Sequence, residues 1–208
     1  MSEIVIHIGL HRTGTTFLQK EVFEKIKNIN YVFDDALHRM RIYNNRINLI
    51  SNEGLSLSMP HSMPDRIQVL NYLKTLFPNA KIILGFRERK RWLRSCYYRY
   101  VLSGGILRYK NYAFTYGNNI IDMDEYAKEV NDRFDEVYVY KFEDLKKNPD
   151  KVIKGICAFI GVSVPDYKNV KRNASLNDKQ LNTLRILNKT NCGIVARTFI
   201  KFIQRTPT

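Results

Sequence analysis

The chain opens on an almost unbroken apolar run, Ile4-Val5-Ile6-His7-Ile8-Gly9-Leu10, which gives way to His11-Arg12-Thr13-Gly14-Thr15-Thr16. A short apolar run bounded by turn residues predicts a buried strand over 4–10, and the pattern beyond it predicts a helix over 15–27. The same contrast recurs downstream. Ile47 to Ser51 (INLIS), Lys81 to Phe86 (KIILGF) and Glu136 to Tyr140 (EVYVY) read as further strands. Ile67, Val69, Leu70, Leu73, Leu76 and Phe77 fall near helical spacing within 65–77, which Pro78-Asn79 ends. Trp92, Leu93, Cys96, Tyr97, Tyr100 and Val101 do the same within 89–103, stopped by Gly104-Gly105. A helix over 150–160 closes on Gly161. The stretch 104–122 is rich in Gly, Asn and Tyr, has little periodicity, and reads as a loop.

Strands separated by helices predict an α/β fold, a three-layer sandwich around a central, mainly parallel sheet. In such sheets ligands bind beyond the carboxyl ends of the strands, so functional residues are expected just after positions 10, 51, 86 and 140. No internal repeat or low-complexity linker divides the chain, and its 208 residues suit a single domain over 1–208.

The first of those four positions carries the most chemistry. Gly9-x-x-x-x-Gly14 followed by Thr15-Thr16 has the outline of a Walker A loop, but Thr15 stands where its lysine belongs. A strand-to-helix turn gathers backbone N–H groups around an anion. Arg12 adds a permanent charge and a planar donor fork. An ordinary β–α turn capped by threonine shares the outline; the sequence Arg-Thr-Gly-Thr-Thr after a buried strand favours the phosphate loop. After the third strand, Arg87 stands at the carboxyl end, and Ser95 follows eight residues on within the next helix, then Tyr97-Tyr98. Arginine and serine converging on one phosphate would form a second anion site.

Charge agrees with anionic ligands without choosing among them. The net charge is +14, with Lys and Arg numbering 34 against 20 Asp and Glu, spread along the whole chain. None of the common nucleic-acid-binding signatures appears, so no specific nucleic-acid partner is expected. No apolar run is long enough for a membrane span, and no signal-peptide pattern is present. The 3 cysteines are widely spaced, which fits neither a disulfide framework nor a metal site and points to a reduced, cytoplasmic chain.

Together these motifs make the chain similar to the sulfotransferases that use 3′-phosphoadenosine 5′-phosphosulfate (PAPS). Arg12-Thr13-Gly14-Thr15-Thr16 aligns with their 5′-phosphosulfate loop, commonly Lys-x-Gly-Thr-Thr. Arg87, Ser95 and Tyr97-Tyr98 match the spacing of their 3′-phosphate motif. Val139 to Pro149 resembles a Tyr-Glu-Asp-Leu-x-x-x-Pro stretch, and Phe159-Ile160-Gly161-Val162 the Phe-Leu-Gly that follows it. The resemblance spans about 4–162 and is closest to small bacterial carbohydrate-type members. It implies a P-loop-NTPase-like fold, PAPS as donor and no metal. It also implies donor binding by Arg12, Thr13, Gly14, Thr15, Thr16, Phe17, Arg87 and Ser95. The chain departs from the pattern in having Arg12 for the loop lysine. It also lacks the C-terminal Arg-Lys-Gly element, whose nearest counterpart is Arg172 within Lys171-Arg172-Asn173-Ala174-Ser175.

Sulfuryl transfer also needs an acceptor for the proton of the attacking hydroxyl. Glu53, in Ser51-Asn52-Glu53-Gly54 after the second predicted strand, is the candidate base, with Arg12 offsetting charge on the leaving side. Family members acting on carbohydrates often use a glutamate, which makes a carbohydrate or glycolipid hydroxyl the expected acceptor. His11 is the rival base; His7, within the strand, reads as a core histidine, and His38 and His61 fall in unassigned segments. Acceptor specificity is expected in 34–66 and 104–122, where Tyr97, Tyr98, Tyr100, Tyr109, Tyr112 and Tyr116 line a sugar site or fill a core. Two other readings remain open at this level. One is a degenerate P-loop nucleotide kinase. The other is a basic module for polyanions or a membrane surface, supported by the apolar and basic residues of 193–205, which could lie on an anionic bilayer.

Overall fold

Val5, Ile6 and Ile8 are inaccessible to solvent because both faces of their strand are covered. In the computed structural model this strand is the middle of a five-stranded sheet, with residues 3–33, 40–55, 66–117, 122–169, 176–190, 192–196 and 200 described. The strands are β1 (Glu3–Gly9), β2 (Ile29–Phe33), β3 (Ile47–Ser51), β4 (Lys81–Phe86) and β5 (Val137–Lys141). Their order is β2-β3-β1-β4-β5, and every neighbouring pair is parallel. A sheet of this kind, buried on both faces, explains why the central strands read as continuous apolar runs rather than alternating ones.

Alternation within β1 sorts the core into two layers. Ile4, Ile6 and Ile8 pack with Ile82 and Leu84 of β4 against Leu70 and Leu73 of α2 (Arg66–Leu76) and Tyr126 and Val130 of α5 (Met123–Asn131). Val5, Leu49 and Ile83 face the other way, onto Leu18, Val22 and Phe23 and onto Ile153, Ile156 and Ile160 of α7 (Pro149–Ile160). Helices therefore cover both faces of the sheet, as the α/β reading requires.

The contacts group the chain into two compact units, Met1–Glu88 with Ile121–Asn169, and Arg89–Ile120 with Val170–Thr208. The first holds the sheet and the helices just named, together with α6 (Phe142–Lys147). The second holds α3 (Arg89–Leu102), α4 (Tyr109–Gly117) and α8 (Asp178–Leu187).

Several elements differ from the sequence reading. The helix expected over 15–27 is a single α-turn, α1 (Thr15–Phe17), which widens into a π-turn over Leu18–Val22 and tightens to 3₁₀ over Phe23–Lys25. The π-turn lets Leu18, Gln19, Glu21 and Val22 all turn inward. β2 lies at the sheet edge and is only half-buried, so its mixed pattern concealed a strand. The expected loop over 104–122 contains α4, whose Tyr112 is wholly buried among tyrosine rings of its own unit rather than along an aliphatic stripe. Most of the basic stretch 193–205 lies outside the described residues, as do His38, His61 and Arg172. Among the described residues no helix is long and apolar enough to cross a membrane.

Candidate active site

The strand order places β1 between its two neighbours at the point where the chain reverses direction across the sheet, first to β2 and β3, then to β4 and β5. Parallel pairing brings the carboxyl ends of β1, β3, β4 and β5 to one edge, where the loops after them meet.

The loop after β1 is held in an unusual backbone shape. Arg12 (φ 70°) and Gly14 (φ 89°) are left-handed, while Thr13 between them is not. Such alternation turns successive N–H groups into a concave nest for an oxyanion. Gly14 is required twice over: its φ disfavours any side chain, and an added Cβ would lie 2.7 Å from Leu145 Cδ2 of α6. The first helical bond then forms from Leu18 N–H to the Gly14 carbonyl at 3.1 Å, leaving the N–H groups before it outside the helical ladder.

Thr13 and Thr15 are buried, and Thr16 is exposed. The Thr13 hydroxyl donates inward to the Leu10 carbonyl at 2.6 Å and lies 3.4 Å from Thr15 Oγ1. Below them runs a buried polar network. His7 Nδ1 lies 2.8 Å from Ser51 Oγ and His7 Nε2 lies 3.2 Å from Tyr140 Oη. Gln19 Nε2, brought inward by the π-turn, donates to Ser51 Oγ at 3.0 Å. Complete burial lowers the His7 pKa to about 3, so the ring is neutral and structural, as its place in β1 suggested. Burial likewise raises the Tyr140 phenol, against the hydrogen bonds of Thr13 and Thr15. The glycines of β1 and β4, paired side by side as Gly9 and Gly85, leave the space this layer occupies.

Arg87 extends from the end of β4 to the same loop. Its Nη1 donates to the Arg12 carbonyl at 3.0 Å, which braces the left-handed residue. The guanidinium lies 4.5 Å from the centroid of Phe142, and its Nε is 4.0 Å from Glu143 Oε1, both of α6. The segment similar to the family's Tyr-Glu-Asp-Leu stretch thus lies against both Gly14 and Arg87. Ser95 lies on α3 of the second unit and is half-buried.

After β3, the Asn52 side chain accepts from Gly54 N–H at 2.6 Å and opens the 3₁₀ turn Glu53–Leu55. The turn directs Glu53 at the loop after β1, where its Oε2 lies 2.6 Å from His11 Nδ1. Side-chain exposures of 28% for His11 and 25% for Glu53 leave the pair partly open to solvent. The sequence presents these residues as rivals; the fold joins them. What it hid was the supporting layer of Ser51, Gln19 and Tyr140, although His7 and Ser51 occupy one register position on adjacent strands. Among the described residues no cluster of His, Cys, Asp and Glu is arranged to hold a metal ion.

A model of the sulfotransferase domain matches residues 2–202. No curated protein matches by sequence. Among solved structures, a sulfotransferase from Alicyclobacillus acidocaldarius is similar over 100% of this chain and 97% of its own, at 14% identity and a TM-score of 0.61. The mouse sulfotransferase SULT7A1, complexed with PAP, is similar over 89% of this chain and 64% of its own, at 15% identity and a TM-score of 0.52. At these identities the two structures speak for a shared fold, and the domain match, covering nearly the whole sequence, identifies the chain as a member of the sulfotransferase family.

Proposed function

We propose that the chain transfers the sulfuryl group of PAPS to a hydroxyl of a carbohydrate or glycolipid, with Glu53 as the base. The hydrogen bond between Glu53 and His11 carries the reading, because it fixes a carboxylate beside the phosphate loop. The donor supplies an activated sulfuryl group; positioning and charge fall to the protein. The nest at Arg12–Gly14, the N–H groups of Thr15, Thr16 and Phe17, and the Arg12 side chain would hold the 5′-phosphosulfate end. Thr13, with its hydroxyl bound inward, would contribute through its backbone. Arg87, Ser95 and Arg172 would hold the 3′-phosphate.

Glu53 accepts the acceptor's proton as the new O–S bond forms. Each carboxylate oxygen has two lone pairs, so accepting a hydrogen bond from His11 leaves capacity for an acceptor hydroxyl. His11 is the positioning residue: its Nδ1–H aims the carboxylate. Arg12 offsets the charge that builds on the departing phosphate. We place the enzyme in the cytoplasm, with the basic C-terminal stretch available to an anionic membrane surface, and assign the donor site no metal.

The test is release of adenosine 3′,5′-bisphosphate from PAPS with and without oligosaccharide or glycolipid acceptors. Acceptor-dependent release, matched by sulfated product, supports the reading. Release that phenols stimulate and no sugar does would overturn the acceptor class.

A further inference from the structure

The second unit contains a cavity of about 410 Å³ whose lining includes none of the residues proposed to bind the donor. Its lining includes Arg94 and Tyr97 of α3, Arg108 and Tyr109 at the start of α4, and Asn182 and Arg185 of α8. The volume is within the range of small-molecule sites. We propose that this cavity is a binding site for a ring-sized ligand carrying an oxyanion, either a carboxylate or a sulfate or phosphate ester.

Arg185 is the main evidence. It is only 6% exposed, and such burial of a full charge is costly unless a counter-charge is near. Its partners are neutral: Nε and Nη2 donate to Asn182 Oδ1 at 3.3 and 2.9 Å, and Nη1 donates to the Ile106 carbonyl at 3.2 Å. The carboxylate in the cavity lining, Asp178, lies 2.5 Å from Arg94 Nη2 and so is already engaged. Three guanidinium groups against one carboxylate leave the cavity positive, an environment in which an oxyanion would offset the buried charge.

The wall is also fixed in place, which lowers the ordering cost of binding. The Tyr97 hydroxyl donates to the Leu107 carbonyl at 3.1 Å, and the Tyr100 hydroxyl accepts from the N–H groups of Ile106 and Leu107, each at 3.2 Å. Asn188 Nδ2 donates to the carbonyls of Val101 and Gly105 at 2.8 and 2.9 Å. Those bonds hold the segment that ends in Arg108 and present its exposed side chain at the cavity. Tyr97 and Tyr109 meet edge to face at 5.2 Å, and with Leu181 and Ile186 they supply apolar surface for a ring. An acidic saccharide and a nucleotide both combine a ring with an oxyanion. Identifying a bound saccharide with the acceptor rests on the sulfuryl-transfer reading; the anion site itself does not.

Titration calorimetry distinguishes these cases. The probes are a glucuronate-containing disaccharide, the neutral disaccharide lactose, and adenosine 3′,5′-bisphosphate, against the wild type, Arg108→Ala and Arg185→Gln. The exposed Arg108 guards against a folding artefact at the buried Arg185. Binding of the acidic but not the neutral sugar, weakened about tenfold or more by each substitution, supports the site with a saccharide in it. A second equivalent of adenosine 3′,5′-bisphosphate, lost in both variants, supports it with a nucleotide. Equal binding of acidic and neutral sugars, or anion binding that neither substitution weakens, overturns it. The first equivalent of the bisphosphate reports separately on the donor loop. Its absence, with sugar binding intact, would defeat the sulfuryl-transfer reading and leave the cavity standing.

Discussion

Glu53 and His11 are far apart in sequence and 2.6 Å apart in the fold, and much of the proposed chemistry depends on that approach. Replacing Glu53 with Gln keeps the shape and removes the proton acceptor. Turnover should fall by ~10²–10⁴-fold, while affinity for adenosine 3′,5′-bisphosphate is unchanged. Replacing His11 with Ala removes one charge-assisted hydrogen bond, so its smaller loss, roughly 10–100-fold in turnover, should leave the base in place. Steady-state kinetics on both variants check the ranking; a larger effect at His11 would make the imidazole the base. His7 governs a different property. Its pKa of about 3 lies below the usual 6.5, so below pH 6.5 the unfolded chain binds a proton that the native ring refuses. Its contribution to stability is therefore present above pH 6.5 and is lost as pH falls toward 3. Denaturant midpoints of the wild type should decline through that window, and His7→Gln should decline less steeply. Equal slopes would show that other groups govern the acid limb. Single residues were legible where strand position fixes the face, as at His7, but the joining of His11 to Glu53 depends on a turn that starts from Asn52.

At the scale of elements, the phosphate loop depends on one backbone choice and one close approach. Gly14→Ala would force a side chain into a left-handed conformation and place its Cβ 2.7 Å from Leu145 Cδ2. The backbone term alone costs about 1–2 kcal/mol, and the contact adds to it. The variant should melt lower and lose bisphosphate binding. A Gly14→Ala protein with normal binding would mean the loop shape is not required. The Asn48 side chain illustrates how strongly the sheet is tied, accepting from Tyr43 N–H at 2.9 Å and donating to the Arg46 carbonyl at 3.0 Å. On α7, Asn148 caps Lys151 N–H at 3.1 Å ahead of Pro149, and Gly161 closes the other end with φ 84°. Asn148→Ala should cost about 1 kcal/mol, visible as a lower denaturation midpoint without loss of activity. Elements with long apolar runs or clear stops, β1, β3, β4, β5 and α7, could be read directly. β2 could not, because none of its residues is fully buried, and α4 could not, because tyrosine packing replaces an aliphatic stripe. The π-turn after Thr16 left no signal in the sequence, since it answers to the partners of Gln19 on β3.

For the molecule as a whole, strand order brings the loop after β1, Glu53 after β3, Arg87 after β4 and the start of α6 after β5 to one edge of one sheet. Alternating strands and helices made the parallel sheet legible, but the order β2-β3-β1-β4-β5 was not, because pairing is settled by packing on both faces at once. The net charge of +14 adds a field that any anion feels, so salt-sensitive binding is expected of donor and polyanions alike. Selectivity between nucleotides is what separates a built donor site from that field. The decisive measurement is calorimetric titration of the wild type and Arg87→Ala with adenosine 3′,5′-bisphosphate and with ADP, without magnesium. Micromolar binding of the bisphosphate, little binding of ADP, and collapse of bisphosphate affinity in Arg87→Ala are the predicted result. Equal weak binding of both nucleotides, abolished by modest salt and indifferent to Arg87, would contradict the donor site and with it the proposed mechanism.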